Sequence, residues 1–391
     1  PAHGNCSHMK LAIATPYPPA YSETFIRMQL ERLPNVLTMH GQPVARETSP
    51  GGPINPLKSP IGLLDTLYWC GLRGKRWEGP QSAELKRRLK HASADVLLAN
   101  FGFGGVALMP LCRELKLPLV VHFHGQDAHR HDVLEANAKA YKELGRSCHA
   151  VIAVSHVMQE ALIRLGFPPS KIRLVRYGID PELFAPRNEP ASAPIFFGAG
   201  RFVDKKAPYL TVLAFAEVRK RCADARLLLA GDGPLREATQ NLASELGLGE
   251  SVEFLGIQTP EQIAQHMRRA RAFVQHSITP KTGPSAGDSE GTPVVVLEAM
   301  MSGVPVIGTR HAGIGEVVRH ESTGLLVAER DTRGMAQAMV RLAEDASWAQ
   351  LLGRRAREDA LEHYTASQYL AALTAIVREA SESRPAAVNG G

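Results

Sequence analysis

Asp288-Ser-Glu-Gly-Thr-Pro-Val-Val-Val-Leu-Glu-Ala-Met-Met-Ser-Gly-Val-Pro-Val-Ile-Gly-Thr309 carries a loop, a helix and a strand in one stretch. The Gly/Ser-rich start reads as a loop. The apolar run through Leu297–Ser302 reads as a helix stopped at Gly303, glycine being the residue that most easily takes the left-handed turn closing a helix. Val304–Gly308 then reads as a short buried strand. Loop, helix and strand repeated in this order build a parallel sheet wrapped by helices.

The same alternation runs outward in both directions. Leu11–Thr15, Val36–Met39, Asp95–Asn100, Leu119–His122, Val151–Val154 and Ile172–Arg176 form one set of strands. Ile195–Gly198, Arg226–Ala230, Val252–Leu255, Phe273–Gln275, Val304–Gly308 and Leu325–Val327 form a second. Between them Ala185–Pro194 holds three prolines and no apolar period, which marks a linker. The expected organisation is a first α/β domain over 9–184, a linker over 185–194 and a second α/β domain over 195–364, both doubly wound and facing a central cleft. Thr259-Pro260-Glu261 supplies a helix entry. Gly41–Pro60, rich in proline and glycine, reads as a mobile loop, Ser347–Glu379 as largely helical, Ser381–Gly391 as a disordered tail, and Pro1–His8 as a cloning remnant before Met9.

A chain of 391 residues with 44% hydrophobic and 21% charged residues has room for two packed cores, which excludes a disordered chain or a disulfide miniprotein. The 45 Lys and Arg against 39 Asp and Glu leave a charge of +6, which suits phosphates or acidic lipid but is small for a nucleic-acid binder. Five cysteines without a C-x-x-C pair point to a reducing compartment, hence a cytoplasmic location. No long apolar run or charged-then-apolar opening suggests a membrane span or signal peptide.

Glu290 and Glu298 lie eight positions apart, one in the loop and one in the apolar helix. An unpaired buried carboxylate at Glu298 costs several kcal/mol, a cost that a hydrogen-bonding ligand such as a ribose diol offsets. Together with Ala312-Gly-Ile-Gly-Glu-Val-Val318, Gly200-Arg-Phe-Val-Asp-Lys-Lys206, Leu229-Ala-Gly-Asp-Gly-Pro234, Val252-Glu-Phe-Leu-Gly256 and Tyr177-Gly-Ile-Asp-Pro-Glu-Leu-Phe184, this E-x7-E stretch resembles the family 4 retaining glycosyltransferases of GT-B fold. Ser22-Glu-Thr-Phe-Ile26, His122-Phe-His-Gly-Gln-Asp127 and the insert Thr282–Asp288 are most similar to the colanic-acid-type exopolysaccharide members.

The resemblance implies two Rossmann-like domains, with a final helix over about 365–380 crossing back to the first. It implies transfer of a hexose, with retention, from a nucleotide-diphosphate sugar such as a UDP-sugar to a glycan, lipid-linked or small-molecule acceptor. By the same resemblance Arg201 and Lys206 grip the diphosphate, Glu298 holds the ribose hydroxyls, Glu290 contacts the transferred sugar, and His124 faces that sugar from the first domain. Gly291, Thr292 and Pro293 form the loop whose amides, with the following helix start, receive anionic oxygens. Tyr177, Ala207 and His276 depart from the residues frequent in the family, Asn, Gly and Pro respectively.

Other signals compete. A nucleotide-sugar epimerase has a similar fold. Gly283-Pro-Ser-Ala-Gly287 spells a hydrolase nucleophile motif around Ser285, but in a Pro/Gly loop instead of the strand-turn-helix that motif needs. His122, His124, Asp127, His129 and His131 crowd ten residues without the alternation that would join them in one metal site. No Asp-x-Asp pair occurs, so no metal or other cofactor is expected, and the diphosphate charge falls to Arg201, Lys206 and the amides near Gly313–Glu316. Residues 72–91 carry seven Lys and Arg against two Glu, with Trp77, Leu85 and Leu89 beside them, a pattern compatible with peripheral contact on an anionic membrane at its inner face.

Overall fold

The computed structural model describes residues 9–41, 46–54, 78–186 and 193–384. The first sheet comprises β1 (Leu11–Thr15), β2 (Asn35–His40), β3 (Glu47–Ser49), β4 (Gly52–Pro53), β5 (Val96–Asn100), β6 (Leu119–His122), β7 (Ala150–Ala153) and β8 (Ile172–Leu174). Its order is β4-β3-β2-β1-β5-β6-β7-β8. The second comprises β9 (Ile195–Ala199), β10 (Arg226–Ala230), β11 (Val252–Gly256), β12 (Ala272–Gln275), β13 (Val306–Thr309) and β14 (Gly324–Val327), in the order β11-β10-β9-β12-β13-β14. The strands of the second sheet pair in parallel, as do β2, β1, β5, β6, β7 and β8 of the first.

All twelve expected strands are present, and each sheet is doubly wound. β1, β5, β6 and β7 are buried along their whole length, as strands covered on both faces must be. The strand expected at Val304 begins only at Val306, because Pro305 has no N–H to offer the ladder. The strand order reverses between β9 and β12, and between β1 and β5, so each sheet opens a ligand crevice at its carboxyl edge.

The expectation of a mobile loop over 41–60 is corrected in part. Residues 47–53 form the antiparallel edge pair β3–β4, with Thr48 buried. Arg88 holds this pair: its guanidinium donates to Thr48 Oγ1 (2.5 Å) and to the Gly52 and Pro53 carbonyls, while its Nε reaches Glu84 (2.8 Å). The lipid-facing reading of 72–91 changes accordingly. Leu85 and Leu89 lie in the core, Arg87 pairs with Glu84, and Lys86 pairs with Glu114. Leu72–Trp77 fall outside the described residues.

The final helices, Ala346–His363 and Ala366–Glu382, match the helical reading of this region, the second running through Ser381 where a disordered tail was expected. The second returns to the first domain. Ile179 N–H donates to the Tyr364 carbonyl and Ala366 N–H to the Ile179 carbonyl, both at 2.8 Å. Gly178 is needed at this crossing, because a Cβ there would lie 2.3 Å from the Thr365 carbonyl oxygen. Tyr369, Leu373, Ile376 and Val377 then join the first domain's core.

Ala207, one of the departures from the family the sequence resembles, enters helix Pro208–Arg221 in the left-handed region (φ +35°). A Cβ is strained there, so Ala207→Gly is expected to raise stability by about 1 kcal/mol, read as a higher urea midpoint with unchanged slope. An unchanged or lower midpoint would contradict this reading.

Candidate functional site

The carboxyl edges of the two sheets face each other across a cleft of about 1180 Å³, part of it open to solvent. Every site residue expected from the sequence lines it: Arg201, Lys206, Glu290, Gly291, Thr292, Pro293 and Glu298 from the second domain, His124 from the first. The loops after β9 and β10 touch closely. A Cβ on Gly231 (φ +123°) would sit 2.0 Å from the Gly200 carbonyl oxygen, so glycine is required to bring Arg201 to the cleft floor.

Glu290 is buried and paired. Lys206 Nζ lies 2.9 Å from its Oε1, which also accepts from Ser277 Oγ at 3.2 Å. Burial alone would push the Glu290 carboxyl up, but Lys206 and Lys205 outweigh it and hold it at about 2. Burial in turn draws the Lys206 ammonium below its ordinary value despite Glu290. The Glu290 amide donates to His311 Nε2 (3.2 Å), and His311 Nδ1 meets Glu329 Oε1 at 2.7 Å. The loop is thus fixed from behind as well as from the cleft.

Glu298 stands in contrast. It is buried at 7% exposure, and no hydrogen bond or ion pair reaches its carboxyl from the described residues. Burial pushes it up to about 8. A mostly buried, unpaired acceptor that opens onto a cleft is a place for hydroxyl donors. Arg201, exposed and without a protein partner among the described residues, presents its guanidinium to the same cleft.

One expectation for the anion loop needs correction. Pro293 has no N–H and stands just before helix Val294–Met301. The first intrahelical bonds run from Val296 and Leu297 to the Pro293 carbonyl, so the amides free to face an anion at this helix start are those of Val294 and Val295. Thr292 Oγ1 donates to the Val154 carbonyl (2.7 Å), so this hydroxyl joins the domains. Of the amides near Gly313–Glu316, those of Ile314 and Gly315 donate to the His311 and Ala312 carbonyls and are not free for an anion. Glu316 instead accepts from the His156 and Val157 amides, both 2.9 Å, and pairs with Arg176 (3.0 Å), so it caps a helix of the opposite domain.

His124 walls the cleft with both ring nitrogens engaged, Nδ1 to Tyr177 Oη at 2.7 Å and Nε2 to Asn100 Oδ1 at 2.8 Å. Burial and the neighbouring His122 hold it well below the usual imidazole range, so it is neutral. Asp127 accepts from the Gly102 and His124 amides, which anchors the loop. Ser285 donates to Asp204, and no hydrogen bond joins it to a histidine among the described residues. No group of three or more His, Cys, Asp or Glu among the described residues is arranged to hold a metal.

Sequence reasoning passed over Lys205, whose Nζ lies 3.0 Å from Asp288 in a buried pair beside Glu290. The doubled lysine at 205–206 was the available signal. His311 and Glu329 carried none, since their role appears only when β13 and β14 bring them behind Glu290.

A family model described as glycosyl transferases group 1 matches residues 180–359, and one described as glycosyltransferase family 4 matches residues 44–183. The chain belongs to the family 4 glycosyltransferases. This glycosyltransferase is 31% identical over 260 residues to the amylovoran biosynthesis glycosyltransferase AmsK of Erwinia amylovora, covering 65% of this chain and 63% of that one. It is 31% identical over 276 residues to the putative colanic acid biosynthesis glycosyltransferase WcaL of Escherichia coli, covering 69% and 66%. The matches thus span just under two thirds of those relatives' length. Among solved structures, Anabaena HepE in complex with UDP and glucose superposes with a TM-score of 0.75 at 19% identity, over 95% of this chain and 100% of that one. Sucrose-phosphate synthase of Thermosynechococcus elongatus gives 0.72 at 21% identity, over 95% and 98%. These structures share the two-domain GT-B fold. No described helix of the glycosyltransferase is long and apolar enough to cross a membrane.

Proposed function

We propose that this glycosyltransferase moves a hexose, with retention, from a UDP-sugar to a glycan acceptor in the building of an extracellular polysaccharide. The observation that carries the reading is the unpaired Glu298 carboxyl in one cleft with the Lys206–Glu290 pair and the free Arg201 guanidinium. That set matches a ribose diol, a transferred sugar and a diphosphate. UDP in the HepE complex supports the base, and the names of AmsK and WcaL support the polysaccharide. The relatives named are transferases, which disfavours an epimerase.

In this reading Glu298 accepts the ribose hydroxyls, and Arg201 and Lys206, with the amides of Val294 and Val295, meet the negative charge that builds on the departing diphosphate. Glu290, ionised and fixed by Lys206 and Ser277, orients the sugar. Glu290 is held by Lys206 and Ser277, so in this reading it serves the sugar as a fixed partner, and the acceptor hydroxyl attacks from the face the diphosphate leaves. Its proton passes to the leaving phosphate oxygen. The described cations of 86–88 are paired within the protein, and the proposal does not extend to a lipid surface.

Protein cations rather than a bound divalent ion neutralise the diphosphate in this mechanism. Turnover is therefore expected to survive exhaustive EDTA treatment, while Arg201→Ala lowers kcat by roughly a hundredfold or more. Activity lost in EDTA and restored by magnesium or manganese would overturn the metal-free part of the proposal. A panel of nucleotides ranked by thermal shift tests the donor, with UDP expected to raise Tm most.

A further inference from the structure

The two partners of His124 are not isolated contacts. Asn100 Nδ2 donates to Gln29 Oε1 (2.9 Å), and Gln29 Nε2 donates both to His122 Nδ1 (3.0 Å) and to Tyr369 Oη (2.7 Å). A buried chain of side chains therefore runs from the C-terminal helix through helix Thr24–Arg32 and the end of β5 to the cleft wall. Gln29, Asn100 and His122 are fully buried, and Tyr369 nearly so. Packing fixes the ring as well: Phe25 and Phe101 lie 4.8 and 4.7 Å from the His124 ring centroid.

The donor and acceptor sense of this chain determines where the His124 proton sits. Gln29 turns Nε2 toward His122 and Tyr369 and its oxygen toward Asn100, and His122 then carries its proton on a buried Nε2 without a partner. Asn100 must then donate with Nδ2 and accept with Oδ1. The atom opposite Oδ1 is His124 Nε2, which therefore carries the proton. Nδ1 is left as the acceptor for the Tyr177 hydroxyl. We propose that Tyr177 and Asn100, the latter anchored through Gln29 to Tyr369 of the C-terminal helix, are positioning residues that hold the His124 imidazole as the neutral tautomer protonated on Nε2.

The titratable groups beside this ring are His122 on β6, Asp127 at its own amide and Tyr177 after β8, with Tyr369 and Glu23 facing Tyr177 in turn. None is a cation at neutral pH, since burial holds His122 down at about 3. In this arrangement the imidazole shapes the sugar side of the cleft and does not shuttle protons. Tyr177, at a position where the family frequently has asparagine, supplies one of its two holds.

The test begins with nitrogen-15 correlation spectra of the histidine rings in the whole protein, with His124→Asn assigning the signal. The expected spectrum shows Nε2 protonated and Nδ1 bare, unchanged between pH 5.5 and 8. A proton on Nδ1, or titration of the ring in that window, would overturn the proposal. Tyr177→Phe is expected to shift the Nδ1 signal and to lower kcat roughly ten- to a hundredfold with the donor KM within about twofold. Tyr369→Phe, which removes only a remote hydroxyl, is expected to shift the same signals less. Spectra of both variants identical to wild type would also overturn it. The kinetic arm rests on the proposed transfer reaction, whereas the spectra need no substrate, so failure of one is distinguishable from failure of the other.

Discussion

Glu298→Gln is expected to make the empty protein more stable in alkaline solution while weakening nucleotide binding. In the folded state burial holds this carboxyl at about 8 against an ordinary 4.5, so between these values the native chain binds the extra proton. Stability from this group is then fully present below about pH 4.5 and is lost as pH rises through 8. The full loss is about 5 kcal/mol at 1.36 kcal/mol per unit. Glutamine carries no charge to bury and escapes it. Near pH 9 the variant should unfold at a higher temperature than wild type by several degrees, and near pH 5 the two should be close. Nucleotide affinity measured near pH 9, where the wild-type carboxyl is ionised, should move the other way, because the ribose loses a charged acceptor contributing about 1.5–3 kcal/mol, or roughly ten- to a hundredfold. Calorimetric scans across pH and a UDP titration check both halves. Equal UDP affinity, or a Tm difference independent of pH, would remove Glu298 from the proposed role.

Lys206→Met is expected to show the opposite pattern, losing stability and turnover together. The Glu290 carboxyl is buried at 6% exposure, and its low value depends on the Lys206 ammonium 2.9 Å away. Removing that partner leaves a buried charge with only Ser277 and the more distant Lys205, at a cost of about 3–5 kcal/mol. The sign with pH follows. A carboxyl held at about 2 contributes stability above pH 4.5 that is lost as pH falls toward 2, and this acid-side loss should be smaller in the variant. In Lys206→Met/Glu290→Gln the unpaired charge is gone, so most of the stability should return. Turnover should not, since the cation facing the diphosphate is still missing. A double variant as unstable as the single one would mean that packing, and not the ion pair, sets the cost.

The strands were legible because a covered parallel sheet makes continuous apolar runs, and β1, β5 and β6 are such runs almost to the residue. The carboxylates were legible because a fixed spacing places one in a loop and one in the first turns of a helix. What escaped has one physical cause: it depends on partners remote in the chain. His124 was read as facing a sugar, but its ring nitrogens are engaged by residues 24 and 53 positions away, through a chain that ends 340 positions from Gln29. Arg88 was read as one of several surface cations, yet it fixes an edge pair some 40 positions earlier. Pro293 and Thr292 were read correctly as loop residues, but Pro293 was counted among the amide donors. The proline has no amide hydrogen to give, and the threonine hydroxyl reaches Val154 in the other domain.

The short pairing of Ile179 with Thr365 has a topological consequence. The second domain leaves the first just after residue 179 and rejoins it at 365, so it is an insert whose entry and exit run side by side. Two adjacent chain crossings act as a hinge with two pins: they permit rotation that opens or narrows the cleft and resist twisting of one sheet against the other. The stretch from 193 to 364 is thereby a cassette, and a second domain exchanged between relatives at these two crossings would meet its host through the Glu316 cap on His156 and Val157 and the Thr292 bond to Val154.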